Sequence, residues 1–247
     1  MSAWSGLVRK EYRLGRTAAL IAFLVMAVFM GFGFYMSGKT HPGILIPMSS
    51  MLLMGHMIYL PIYLGVSLQR EKHTMHLWLH NPLSGNALLA AKLLNGFGAL
   101  CFSLFFACLF ALYAWQVNSG IVDLTVQQIW TTGIFMLIHI ILASIYLGLW
   151  TLLFSMIEIV SKQKLGNWRV LIILFIIFIG PRLWGSLEGT LFYNKLTHWG
   201  AIPLSDNNLL HLMHFDVVYA GIYVFHLILA ALLFWISSWM LDRKVEV

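Results

Sequence analysis

The chain has 247 residues, of which 60% are hydrophobic and 10% charged, and its mean hydropathy is +0.84. A water-soluble domain carries roughly 25% charged residues, so this chain has too few polar side chains to cover a globule in water. The net charge of +6 does not point to nucleic acid, because the cations fall in short clusters between apolar runs, as membrane topology requires, and do not form a basic groove.

In chain order, the first feature is the segment from Leu7 to Arg16. Leu7, Val8 and Leu14 alternate there with Arg9, Lys10, Glu11 and Arg13, a pattern suited to an interfacial helix lying along the inner leaflet over residues 1–16. Thr17–Ser37 follows as an apolar run of about 21 residues, longer than a signal-peptide core and without a clear cleavage site, and it is read as a retained first span. About 20 apolar residues cross a hydrocarbon core of about 30 Å. On that criterion six spans are expected, at about 17–37, 43–68, 90–116, 129–156, 169–185 and 219–241. The expected fold is therefore all-α, a polytopic membrane protein with one transmembrane domain over 1–247. Lys and Arg set the orientation. Twelve of them (Arg9, Lys10, Arg13, Arg16, Arg70, Lys72, Lys92, Lys162, Lys164, Arg169, Arg243, Lys244) would face one side, and three (Lys39, Arg182, Lys195) the other. Both termini are expected in the cytoplasm.

At the end of the first span, Gly33-Phe34-Tyr35-Met36-Ser37-Gly38-Lys39-Thr40 satisfies the phosphate-loop pattern. That pattern binds phosphate only between a strand and a helix, where backbone amides converge. Here a membrane helix precedes it and His41-Pro42 follows, so it is read as a helix end with an exposed lysine. Between spans two and three lies a cytoplasmic bracket over 69–89. It has a charged start, a short helix around Leu77, Trp78 and Leu79 that ends at Pro82, and a second helix leading to Lys92. An apolar knob flanked by polar residues is a docking signature; the bland alternative is an amphipathic turn on the inner leaflet. In span three, Phe102, Phe105, Phe106 and Phe110 suit either the lining of an apolar route or a packed helix face. Cys101 and Cys108, one heptad apart in the same span, are read as small packing residues without a disulfide.

The fifth span has only 12 residues from Arg169 to Gly180, about 18 Å of helix, and Gly180-Pro181 predicts a kink. Residues 186–218 are too apolar for a free external loop, and a re-entrant outer segment is expected there. His198, His211 and His214, with Asp216 nearby, have a composition open to a metal ion, although polar residues of an outer segment are the preferred reading. His56, His139 and His226 lie within spans and are expected to hydrogen-bond across helices, the alternative being that they line a polar path. No Ser–His–Asp order, paired intramembrane carboxylates or H-E-x-x-H pattern appears, so no catalytic or metal residue is assigned.

Two of these segments resemble ABC-2-type (type V) ABC transporter permeases. The elbow helix of that family has a basic R-K-E-like core, similar to Arg9, Lys10, Glu11 and Arg13 here. The family's loop between spans two and three resembles E-x-x-x-G-T-L-E-x-L-L-x-x-P-[LV]-S followed by a leucine-rich stretch ending in Lys. This chain offers Glu71, Thr74, Leu77, Leu79, Pro82, Leu83 and Ser84, then Leu88, Leu89 and Lys92, with Trp78 inside the motif; it departs from the pattern at His73 and His76. The resemblance implies a subunit of an ATP-driven exporter in a bacterial plasma membrane, forming half of the translocation pathway. It places ATP and Mg on a separate cytoplasmic ATPase docked at the bracket, implies no cofactor in this chain, and calls for a second permease as homodimer or heterodimer partner within the lipid bilayer. A non-transporting membrane anchor or immunity-type protein is the alternative.

Overall fold

The computed structural model describes residues 3–71, 83–120, 125–165, 169–204 and 217–244. The helices are α1 (Ala3–Lys39), α2 (Leu45–Gly55), α3 (Tyr59–Glu71), α4 (Gly85–Val117), α5 (Val126–Leu165), α6 (Arg169–Glu188), α7 (Leu191–Thr197) and α8 (Ala220–Lys244). Short 3-10 turns at Pro42–Ile44 and His56–Ile58 precede α2 and α3, and two strands, β1 (Ala201–Pro203) and β2 (Val217–Tyr219), lie between α7 and α8. Among the described residues five helical stretches are long and apolar enough to cross a membrane: Ala3–Lys39, Pro42–Glu71, Gly85–Val117, Val126–Ser161 and Ala220–Arg243. In hydrocarbon every backbone N–H and C=O must be paired within the segment, and a helix does this by itself. The chain is an all-α, multi-pass membrane-embedded protein. It divides into two compact units, Met1–Thr151 with Val247 and Leu152–Glu246.

Several boundaries differ from those expected. Residues 3–16 and the first span form one uninterrupted helix of 37 residues, about 55 Å at 1.5 Å per residue, so no break separates an elbow from the span. The second span is not one regular helix. Pro61 has no N–H and its ring crowds the carbonyl four residues back, and the chain tightens into the 3-10 turn at His56–Ile58 just ahead of it. The Leu60 N–H, displaced from regular pairing, donates to Ser144 Oγ at 3.3 Å. α6 does not stop at Gly180 but runs through Pro181 to Glu188.

Caps follow sequence chemistry. Ser84 caps α4 by accepting from Ala87 N. Thr125 and Gln128 form a reciprocal capping box at the start of α5, Gln128 N donating to Thr125 Oγ1 at 3.2 Å and Thr125 N to Gln128 Oε1 at 3.1 Å. The phosphate-loop pattern is helical from Gly33 to Lys39, and Thr40 Oγ1 donates to Met36 O at 2.8 Å. The backbone amides therefore follow the helix and form no phosphate cradle.

The first unit is held by side chains of α3 set into small residues on its neighbours. Leu60, Leu64 and Leu68 are buried. Tyr63 is inserted between α1 and α4: a Cβ on Gly15 would fall onto the Tyr63 hydroxyl, and one on Gly96 would come within 2.8 Å of the Tyr63 ring and 2.6 Å of Leu60. Such close approach through glycine is how membrane helices gain packing energy without a hydrophobic driving force between them. Farther along, Phe110 and Ala114 of α4 pack on Leu45, with Met30, Met48 and Leu52 around them. Asn118 then ties the end of α4 to the start of the second span, its Nδ2 donating to Pro42 O at 3.1 Å and to Ala114 O at 2.7 Å.

In the second unit β1 and β2 pair antiparallel, Ala201 opposite Tyr219 and Pro203 opposite Val217. Gly200 enters the ribbon at φ +66°, a conformation natural to glycine. α7 begins at Thr190, whose hydroxyl accepts from Tyr193 N, and lies on α8 through Tyr193 and Phe225, ring centroids 5.3 Å apart. This short helix and the ribbon occupy the described part of the expected outer segment; residues 205–216 lie outside the described residues.

Tyr63 yields the first test. Gly15→Ala should lower stability in detergent by about 1–3 kcal/mol, the usual cost of overpacking. Tyr63→Ala, which empties the opposing volume, should make the same glycine substitution nearly neutral. Gly6→Ala and Gly98→Ala, where an added Cβ meets nothing within 4 Å, should be neutral or slightly stabilising. Unfolding midpoints of the single and double variants check all of these.

Candidate functional site

α1, α3 and α4 each bring one ionisable residue to a common buried point. Glu11 lies on the third helical turn of α1, Glu71 is the last residue of α3, and Lys92 lies two turns into α4. Lys92 Nζ is 2.7 Å from Glu11 Oε2 and 2.6 Å from Glu71 Oε2, and it donates to Ser67 Oγ at 3.1 Å. An ammonium has three N–H donors and no acceptor, and three acceptors surround this one. Lys10 Nζ adds a fourth charge, donating to Glu71 Oε1 at 2.8 Å. Two carboxylates and two ammoniums balance. Side-chain exposures are 0% for Lys92, 1% for Glu11 and 3% for Glu71, against 44% for Lys10, so only Lys10 opens to the surface.

Neighbouring polar contacts fix α1 along the same face. Asn95 Nδ2 donates to Val8 O at 3.2 Å and to Ala91 O at 2.9 Å, and Arg70 Nη1 donates to Leu14 O at 3.0 Å. Val8, Glu11, Leu14 and Gly15 recur at three- and four-residue spacing, which is one face of a helix. α1 is therefore attached to α3 and α4 over two turns by charge, hydrogen bonds and the Tyr63 insertion.

Removing a charge from water costs several kcal/mol per ion, recovered only where geometry is good and the remaining donors and acceptors are occupied. Among the described residues no group of three His, Cys, Asp or Glu could hold a metal ion. Glu71 is the residue at which α3 enters the 72–82 segment, and Ser84 caps the helix on which the chain returns. Glu71 is thus bonded to α1 through Lys10 and to α4 through Lys92.

Of the residues singled out for the bracket, Glu71 is in this cluster and Leu83 is half-buried just before α4. Thr74, Leu77, Trp78, Leu79 and Pro82 lie outside the described residues. Of the first-helix residues, Lys10 and Glu11 join the cluster, while Arg9 and Arg13 are exposed. The four phenylalanines differ in burial. Phe110 is in the core, Phe102 and Phe105 are exposed, and Phe106 packs edge-on against Phe23 at 5.2 Å. Cys101 is exposed and Cys108 partly buried, both free; the first is not the buried packing residue expected. His56 bonds across helices to Ser103, whereas His139 and His226 direct Nδ1 to carbonyls of their own helices, at Phe135 and Ile222. His198 sits beside Thr197 Oγ1, with Nδ1 at 3.0 Å, and its ring lies against Tyr219; His211 and His214 lie outside the described residues.

Lys92 and Ser67 are the functional candidates that sequence reasoning missed. Lys92 enters there as one cation among twelve on its side and as the end of the family-like leucine-rich stretch, with no partner assigned to it. The available signal is the scarcity of acid: with nine Asp and Glu in the whole chain, two glutamates near the same membrane boundary as a lone lysine on an apolar helix call for pairing.

No family model, no curated protein and no solved structure matches the chain.

Removing one partner of a buried pair leaves an uncompensated charge and costs about 3–5 kcal/mol. Lys92→Ala should therefore lower stability by about that amount, and Arg9→Ala or Arg13→Ala by less than about 0.5 kcal/mol, as at ordinary surface positions. Denaturant unfolding of the three variants in mixed micelles distinguishes them.

Proposed function

We propose that the chain is the membrane-spanning permease subunit of an ATP-driven exporter of the ABC-2 (type V) class. It forms half of a translocation pathway with a second permease, a copy of itself or a related chain. ATP and Mg are bound by a separate cytoplasmic ATPase that docks on the bracket at 69–89. In this reading both termini are cytoplasmic, in keeping with the twelve-to-three division of Lys and Arg. α6, 20 residues and about 30 Å long, supplies the fifth of the six spans, and the apolar segment after it dips into the outer leaflet. The first turns of α1 do the work of the elbow, although they are continuous with the span.

The observation that carries this reading is the bonding of Glu71. A lever moves a helix bundle only if its root is rigidly joined to more than one helix. Glu71, at the root of the bracket, is held by Lys10 of α1 at 2.8 Å and by Lys92 of α4 at 2.6 Å. A displacement imposed on the bracket by closing ATPase subunits is then shared by α1, α3 and α4. The residues of the family-like elbow and bracket motifs, separated by 60 positions between Glu11 and Glu71, meet at one point, as a motif serving transmission requires.

Trp78 is the expected anchor in the ATPase, since interface energy concentrates in a few buried aromatics. Trp78→Ala should leave the permease inserted but weaken its association with the co-expressed ATPase by about 2 kcal/mol, about thirtyfold. Quantitative pull-down from the native host measures this. Absence of any stoichiometric soluble ATPase from the wild-type complex would overturn the reading in favour of a non-transporting membrane anchor.

A further inference from the structure

The midpoint of the second hydrophobic stretch takes no part in the charge cluster or the bracket, yet its helix is interrupted there by a 3-10 turn. Beside the 3-10 turn at His56–Ile58, α1, α2 and α4 leave a cavity of about 250 Å³. Its walls include Ala22, Val25, Phe29 and Met51, and His56 and Ser103 are set in it; no Asp, Glu, Lys or Arg lines it. His56 and Ser103 are both buried, at 5% and 3% exposure. Broken membrane helices with a buried polar pair are places where irregular backbone lines a ligand cavity.

Counting hydrogens at this pair identifies the ligand chemistry. His56 Nδ1 is 2.8 Å from Leu52 O, which only accepts, so the ring proton is on Nδ1. In a neutral imidazole Nε2 is then an acceptor, and Ser103 Oγ, 3.0 Å away, donates to it. The single Ser103 hydrogen is thereby used, and Met26 Sδ, 3.5 Å from the same oxygen, receives none. Ser103 Oγ keeps its acceptor lone pairs, in a cavity otherwise walled mainly by apolar groups.

We propose that this cavity binds a neutral, largely apolar alcohol drawn from the bilayer, its hydroxyl donating to Ser103 Oγ and its hydrocarbon part filling the space between α1 and α2. Neutrality follows from the absence of charged lining. Entry from the bilayer follows from the rim, where Val25 and Met51 are exposed within apolar spans. The volume exceeds the roughly 150 Å³ that accommodates benzene in an apolar protein cavity, which suits an alkyl chain or a ring system of greater size. This inference rests on membrane embedding alone and stands or falls independently of the ATPase partner.

The test uses the full chain in lipid nanodiscs and a diazirine-bearing eight-carbon alkanol as photoprobe. Labelling of residues 22–29 and 51–59 should saturate with probe and be competed by octanol far better than by octane. Gly55→Phe should abolish it, since Gly55 lines the cavity and an added Cβ there meets nothing within 4 Å. Ser103→Ala, which removes one oxygen, should weaken half-saturation roughly fivefold, the worth of one hydrogen bond, and carries the test even if Gly55→Phe fails to insert. Labelling that rises without saturation, persists in Gly55→Phe, is competed equally by octane, or is unchanged in Ser103→Ala would overturn the proposal.

Discussion

A lysine ammonium with no access to water must be matched by acceptors that are themselves buried, and the first unit of this protein is organised around one such match. Lys92 brings α4 to Glu11 of α1 and to Glu71 of α3, with Ser67 accepting its third hydrogen. None of the three helices shifts along its axis without lengthening a contact of 2.6–3.1 Å between buried groups. Apolar packing between membrane helices is non-directional and tolerates sliding. A charged pair in a low-dielectric setting does not. The cluster therefore fixes register, and the apolar contacts supply area.

The rest of the unit is consistent with that register. The Tyr63 hydroxyl reaches α1 at Gly15, one turn beyond Glu11, and the Tyr63 ring meets α4 at Gly96, one turn beyond Lys92. Asn95 and Arg70 bond α1 carbonyls on the same face. Toward the other end of the bundle, the polar contacts are of a different kind: Ser144 takes up the N–H displaced by Pro61, and His56 and Ser103 pair beside a cavity. The unit thus has a charged, tightly registered end and a middle in which helix regularity gives way to space. In the proposed transport reading, the first supplies a rigid root for the bracket, and the second supplies volume that rigid helices alone would not leave.

Much of this was legible in the sequence because membrane helices obey a constraint of length and composition. Apolar runs of about 20 residues have few alternatives to helix in hydrocarbon, and five of the expected spans have counterparts in long apolar helices. The failure of the phosphate-loop pattern was also legible, since Gly33–Lys39 had to continue a helix. Less visible was the continuity of α1, because cations beside an apolar run suit an interfacial helix and a helix that extends beyond the bilayer equally well. Gly180-Pro181 predicts a kink, and the helix runs through Pro181 to Glu188, three residues past the expected span. Lys10, Glu11 and Glu71 were each singled out, but in two separate segments. Their meeting depends on the Lys10–Glu71 and Glu11–Lys92 pairings, across 61 and 81 positions, which helical periodicity within one segment does not encode. Thr74, Leu77, Trp78 and Leu79 retain only their sequence argument.

The central claim is that Glu11 and Lys92 form a buried, energetically coupled pair, and a double-mutant cycle measures that coupling most directly. Unfolding free energies of Glu11→Gln, Lys92→Met and the double variant should give an interaction energy of about 2 kcal/mol or more, because either single change leaves the other charge buried with an incomplete set of partners. A coupling below about 0.5 kcal/mol, the range of solvent-exposed ion pairs, would contradict the account.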